Sequence, residues 1–424
     1  MKILRSLVPA ALVMSATIIA PLAAELHSAS ATTSPLANGT ILVLDGQNAK
    51  IWSIPKGGGS YTQVADLSTL VDSCSETPYP WESVVFGHTM YWIDDSCGDV
   101  YATEIATGNT TDIYSAHNQS MRDSNYLTVD KTGNLWLQAG SGSATPNQVL
   151  ELTAGTFTPY YYAITGGNTS DWAMSFYKGD IYFGSSGDGT NFIYKFTEPA
   201  VPGSLSTIAV TTVATTANDS SSGMAIDKAG NIFFSNYSEI DKIPVGSSTA
   251  SIVNQTCATN GIESMKVWQG NLYFTAWRPG VVCELNSAET AATVLAANPD
   301  PTSGSGFNPE GIGMVGSSGL DSSTVKLRVS FGYGSSHVSY HGVAQLNWLK
   351  RQLKGATNVG ITVTGYVQPN AGLKTDTAIG LARAQQVRAA LKLLKVAATI
   401  TVRNGGLKFP NVGSSRVAVV TATW

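Results

Sequence analysis

One unit recurs along the first three quarters of the chain, and it limits the fold more than any other feature. A short apolar strand enters a tight turn, a second strand rich in aromatic and β-branched residues follows, and a third ends in a polar stretch. Ile41-Leu42-Val43-Leu44-Asp45 precedes Ile51-Trp52-Ser53-Ile54, the run from Ser83 to Ile93 leads to Val100-Tyr101, and the run from Tyr126 to Trp136 leads to Val149-Leu150-Glu151-Leu152. The same shape returns at 173–183, 223–234 and 264–274. The turns carry their own chemistry. Asp130-Lys131-Thr132-Gly133-Asn134 and Asp227-Lys228-Ala229-Gly230-Asn231 supply residues that tolerate positive φ between antiparallel strands, and Lys178-Gly179-Asp180 and Gln269-Gly270-Asn271 serve the same purpose.

A period of roughly 40 to 50 residues marks a propeller or an array of small sheets. There are about six units, and the first has no inner strand ahead of Ile41. Asn308-Pro309-Glu310-Gly311-Ile312-Gly313-Met314-Val315 reads as a lone strand just before the composition changes. The expectation is that it completes the first unit and closes a ring, which covers the edges that an open array leaves unpaired. An open pair of β-sandwiches is the alternative. The predicted architecture is therefore multidomain: an all-β six-bladed propeller over 37–316, closed by 308–315, then a linker over 317–323 and a small α/β sandwich over 324–424. The Asp-x-x-Gly-Asn-hydrophobic turns resemble those of NHL-type and gluconolactonase-like propellers, a resemblance that covers nearly all of 37–316. It bears on fold, because this fold hosts enzymes, binders and scaffolds alike.

The four cysteines allow three pairings. Cys74 lies just before the inner strand of the second unit and Cys97 just after its second strand, while Cys257 and Cys283 occupy the matching places in the sixth. The flanks agree, Glu82-Ser83 matching Glu263-Ser264. The register predicts Cys74–Cys97 and Cys257–Cys283, each closing a loop of about 25 residues worth ~3 kcal/mol on the chain-entropy model. With no Cys-x-x-Cys and few His, redox and thiolate-metal roles are not expected.

Residues 1–31 read as a cleaved signal peptide: Lys2 and Arg5, an apolar run from Leu7 to Ala24, and the small residues Ala29-Ser30-Ala31. No later apolar run is long enough to span a bilayer. Only 13% of residues are charged, which suits an exported all-β protein held in or beyond the cell envelope. The net charge of -4 conceals a division. From Thr324 onward there are 13 Lys and Arg against one acid, Asp376, whereas residues 32–323 hold 10 basic and 27 acidic residues. Either the tail meets an anionic partner or the two halves attract each other.

In a propeller the starts of the inner strands meet at one mouth. Here they bring together Glu82, Asp171, Glu263 and Glu310, with Trp81, Trp172 and Trp277 beside them to stack on sugar rings or to pack the blades. Carboxylates around one axis repel one another unless a cation or protons intervene, and oxygen ligands of this kind suit Ca²⁺. The gluconolactonase-like resemblance implies a divalent metal held by the Glu of a Glu-Gly pair, which Glu310-Gly311 matches. Solvated rim acids are the plainer alternative. No Ser/His/Asp arrangement stands out, so catalytic residues are not assigned.

Beyond Gly316-Ser317-Ser318-Gly319 the periodicity changes to strand, helix, strand, helix, strand, strand: Val325 to Phe331, Val343 to Leu353, Ile361 to Tyr366, Ile379 to Leu391, Thr399 to Val402 and Val417 to Val420. Gly365-Tyr366-Val367-Gln368, the run Asp376 to Val387 containing Arg383-Ala384, and Ser414-Ser415-Arg416-Val417 resemble the OmpA-like domain, over about the last hundred residues. That resemblance implies peptidoglycan binding, with Arg383 holding a carboxylate and Gln368, Asp376 and Arg416 around it. Gln368 stands where the family's Asp grips an ammonium group, which favours a changed muropeptide or an anionic wall polymer as ligand. The expected function is an exported, envelope-associated binding protein whose basic tail attaches to peptidoglycan or anionic wall polymer and whose acidic propeller is a recognition platform. No nucleic-acid partner is expected. The alternatives are a metal-dependent hydrolase or lactonase in the propeller channel and a structural surface protein.

Overall fold

The computed structural model describes residues 36–424 except 117–123, 125, 139–146, 168–172, 188–189, 200–201, 217–221, 237, 254–256, 258–260, 298–305, 317–323, 333–334, 354–355, 357, 368–372, 407–415 and 424. The expected leader (1–31) and linker (317–323) lie outside these residues, as do Asp171, Trp172 and Gln368; Asp376 falls in a described helix, but its side chain does not.

Six sheets of the repeat region form a β-propeller. Their inner strands are Pro309–Met314, Pro80–Phe86, Leu127–Val129, Met174–Tyr177, Met224–Ile226 and Ile262–Trp268, and each packs against the next until Ile262–Trp268 meets Pro309–Met314. The ring closes through the late strand, which lies antiparallel to Ile41–Asp45 with Val43 opposite Ile312 and Leu42 opposite Gly313. Pairing the last strand with the first completes the first blade at four strands and ties the ends of the region together. Gly311 and Gly313 are required there. A Cβ on Gly311 would lie 2.7 Å from the Trp81 carbonyl oxygen and 2.9 Å from the Ser83 nitrogen. The bare strand thus lets the second blade's inner strand come close.

The turns behave as their residues dictate. Asp130 accepts from the backbone N–H groups of Thr132 and Asn134, and Asp227 from those of Ala229, Gly230 and Asn231. Gly133 and Gly230 sit at positive φ between them. One strand has no counterpart in the repeat. Thr207–Ala209 pairs in parallel with Pro159–Thr165 of the third blade, and Thr211–Thr216 then joins the fourth, so this segment straps two blades together. The disulfides Cys74–Cys97 and Cys257–Cys283 both form.

The tail is a four-stranded sheet in the order Thr324–Ser330, Val417–Thr423, Gly360–Tyr366, Thr399–Gly406, with helices α1 (Tyr340–Gln352) and α2 (Leu373–Leu393). Ser339 caps α1 by accepting from the Gly342 N–H at 3.2 Å, and Lys350 and Arg351 fall in its last turn, where the helix dipole favours cations. Strand residues Val325, Leu327, Val363 and Val420 and helix residues Leu346, Ala384, Val387 and Leu391 form one side of a core. That core continues into the propeller through Phe86, Tyr91, Leu135 and Leu152. Trp348 of α1 is the joint: its ring stacks on Phe86 at 5.6 Å between centroids, and its indole N–H donates to the Tyr91 hydroxyl at 2.9 Å. Gln352 accepts from the His88 backbone N–H and donates to Thr89 Oγ1. These contacts lie at the turns that end the inner strands, so the tail docks on the face of the propeller opposite the strand starts.

Candidate functional site

The strand starts of three consecutive blades converge, and each carries an acid. Glu82, Glu263 and Glu310 are all buried, at 4%, 6% and 2% exposure, and are not solvated rim groups. Local irregularities aim them. The ladders slip between Pro80 and Ser83, between Ile262 and Met265, and between Val43 and Asp45 opposite Pro309–Glu310. Such bulges redirect a side chain that regular pleating would place elsewhere.

Glu82 is neutralised within the protein. Its Oε1 accepts from the Ser83 N–H (2.7 Å), the Ser264 hydroxyl (2.9 Å) and the Lys266 ammonium (3.1 Å). Burial pushes its pKa up and Lys266 opposes that shift. Lys266 was not among the residues singled out from the sequence; its place two residues beyond Ser264, on the same face of a strand, was the available signal.

Among the described residues neither Glu263 nor Glu310 is paired with a cation. Burial, with hydrogen bonds from Ser222 and Trp277 opposing it and the charges of Glu82 and Asp95 adding to it, raises Glu263 to about 7. Burial and then the charge of Glu263 raise Glu310 to about 9. Glu310 Oε1 accepts from the Tyr79 hydroxyl (3.1 Å) and Asn308 Nδ2 (2.6 Å). Its Oε2 and Asn308 Oδ1 are buried with no hydrogen-bond donor. Unmatched buried acceptors cost of order 1–3 kcal/mol each. The arrangement therefore favours a proton or a hard cation, since carboxylate and amide oxygens are donors of the kind Ca²⁺ takes.

The other mouth residues divide. Trp277 is engaged with Glu263 and lies against Arg278 at 5.1 Å, while Trp81 is half-buried beside Tyr79. The group of potential metal ligands among the described residues, Asp72 with Cys74 and Cys97, is not a metal centre, because both sulfurs are in the disulfide.

In the tail, Arg383 is buried at 2% exposure. Its Nε donates to the Ser335 carbonyl (2.9 Å) and its Nη1 to the Tyr366 carbonyl (2.8 Å), and its guanidinium lies over Phe331. Burial and then the charge of Arg416 lower its pKa. Arg416 is its close neighbour, with a buried Nε that has no acceptor. Among the described residues neither guanidinium has a carboxylate partner.

No family model matches the chain, and no curated protein matches it. Among solved structures it is similar to a chain in the crystal structure of a nidogen/laminin complex, at 10% identity and a TM-score of 0.49, over 65% of this chain and 98% of that one.

Proposed function

We propose that the chain is an exported binding protein of the cell envelope. Residues 324–424, read as an OmpA-like domain, attach it to peptidoglycan or an anionic wall polymer, and the propeller presents its acidic mouth on the far side. The observation that supports this reading is the Arg383–Arg416 pair. Two adjacent guanidiniums repel each other, and the pair is stable where an anion joins them. Arg383 is committed to two main-chain carbonyls, so Arg416 is the contact and Arg383 the anchor that holds the loop ends. To test it, the full chain is sedimented with purified walls at low salt. The expected outcome is co-pelleting that Arg416→Ala weakens; wild-type protein left wholly in the supernatant sinks the reading.

A second reading rests on the orphaned acceptors at Glu310: a cation held by Glu310, Glu263 and Asn308, serving a hydrolase or lactonase or the propeller's own stability. Purified protein would then carry Ca²⁺ that Glu310→Ala loses. Metal analysis showing equal content in both proteins rejects the site.

A further inference from the structure

The tail sheet has helices on one face only. Its other face carries cross-strand rows of side chains in register: Lys326, Thr421, Thr362 and Thr401 in one row, Arg328, Val419, Thr364 and Arg403 in the next. Neighbours in a row are about 4.8 Å apart, so hydroxyls run across the sheet with a cation at one end of the first row and at both ends of the second. No carboxylate occurs in either row. The face does not end at open solvent. At its Lys326 and Arg328 edge it forms one wall of a cleft of about 940 Å³, whose other wall is the turns of blades three and four. That volume is within the range of small-ligand sites, and domain junctions are where such sites concentrate.

Two aromatic rings face this cleft from opposite sides. Tyr366 of the tail lies so close over Gly405 that a Cβ there would sit 2.3 Å from the ring, and Tyr160 of the propeller lies over Gly203 at the same 2.3 Å. In both places a missing side chain lets a ring come close against the backbone. Aromatic rings, rows of hydroxyls and scattered cations are together the chemistry that holds a sugar chain. Ring faces meet its C–H surfaces, threonines exchange hydrogen bonds with its hydroxyls, and ammonium and guanidinium groups take its carboxylates. Arg328 is in electrostatic reach of Glu198 and Glu151, which leaves Lys326 and Arg403 as exposed cations to which no described carboxylate is paired.

We propose that this cleft and the open sheet face beside it bind an acidic polysaccharide, with Tyr160 and Tyr366 as stacking platforms and Lys326 and Arg403 as carboxylate contacts. The proposal deepens the envelope-binding reading by naming a surface and a ligand class. It is separate from the Arg383–Arg416 pair, so each can fail alone.

The test titrates the full chain with oligogalacturonate and, in parallel, with a neutral galacto-oligosaccharide, by calorimetry at low salt. The acidic oligomer is expected to bind and the neutral one to bind at least tenfold more weakly. Lys326→Glu, at an exposed position, is expected to weaken the acidic ligand by about tenfold, the scale of reversing one rim charge. Ser330→Trp, which fills the cleft from an exposed strand position, is expected to abolish binding with an unchanged melting temperature. Arg416→Ala should leave this binding intact while releasing the protein from walls. The proposal is overturned if the wild-type chain binds neither oligomer, if it binds both equally, or if Lys326→Glu and Ser330→Trp bind as wild type does.

Discussion

The inner strands begin at one face of the ring, where Glu82, Glu263 and Glu310 lie, and end at the other, where Phe86 closes the strand that carries Glu82, and the two faces bury opposite things. At the far end Trp348 disappears into the joint with its ring stacked and its N–H bonded to Tyr91. Gln352 follows with both its amide oxygen and its nitrogen engaged. At the near end two carboxyls are buried together, and one of them keeps an oxygen with no donor. The first kind of burial stabilises, since apolar area leaves water and each polar atom finds a partner. The second costs stability until something neutralises it. A fold that supports the costly arrangement on two adjacent blades, while filling the opposite end, has one end for holding itself together and one for meeting a ligand or protons.

The comparison breaks most visibly at the joint. Trp348→Ala removes a stacked ring and one of the Tyr91 hydroxyl's two side-chain partners, and should cost about 4 kcal/mol. Urea denaturation followed by far-UV signal should then show the tail melting before the propeller, and a single transition at the wild-type midpoint would refute a shared core. Next is Lys266→Met, which leaves Glu82 buried without its cation. A loss of about 3 kcal/mol is expected at pH 7, with recovery at acid pH as Glu82 takes a proton; an effect independent of pH would show that the ion pair is not what Lys266 supplies.

Smaller, but more specific to the near end, is pH dependence. Glu263 and Glu310 have native pKa values raised to about 7 and about 9 from an ordinary 4.5. The native state therefore holds protons that the unfolded chain has released. This contribution is complete below about pH 4.5 and is lost as pH rises through 7 to 9. The melting temperature should fall over that window, and saturating Ca²⁺ should flatten the fall if a cation replaces the protons. Glu310→Gln should do the same without Ca²⁺, gaining about 1–2 kcal/mol at pH 9; a slope unchanged in that variant would place the titration elsewhere, with Glu151 or Asp94 next in line. Smallest is Lys131→Ala, which removes the 2.9 Å pair with Glu198 at the edge of the cleft. Its lysine is half exposed, so a change within about 0.5 kcal/mol is expected, and a larger one would mean that the cleft wall is part of the joint.

Much of this architecture could be read from single stretches of chain. The Asp-x-x-Gly-Asn turns mark hairpins because an Asp side chain caps the backbone N–H groups that follow it, and Asp130 and Asp227 do so. The matching positions of Cys74 with Cys257 and of Cys97 with Cys283 indicated both disulfides, since equivalent places in equivalent blades face the same gap. The strap at Thr207–Ala209 left no such mark. Its parallel pairing joins two blades through a segment whose local pattern is that of any short strand.

The candidate site was legible only as a set of residue types. Acids at the starts of inner strands were visible, but their burial was not. Whether Glu82, Glu263 and Glu310 point to solvent or to the axis depends on bulges in three separate ladders. Tyr79, Asn308 and Lys266 joined the site although none of them repeats from blade to blade. Arg383 was visible as a cation, whereas its commitment to the Ser335 and Tyr366 carbonyls was not.

By itself, then, the amino-acid order determined the blades, their turns, their cross-links and the change to alternating helix and strand after the repeats. Each of these depends on φ preferences and on hydrophobic period over a dozen residues. The tertiary structure alone decided that Lys266 neutralises Glu82 and that Glu263 and Glu310 lie together with no cation among the described residues. It alone decided that α1 seals the opposite end. The residues concerned are up to some 260 positions apart, and their meeting depends on how far each strand slips past its neighbour and on which faces remain apolar once the ring has closed.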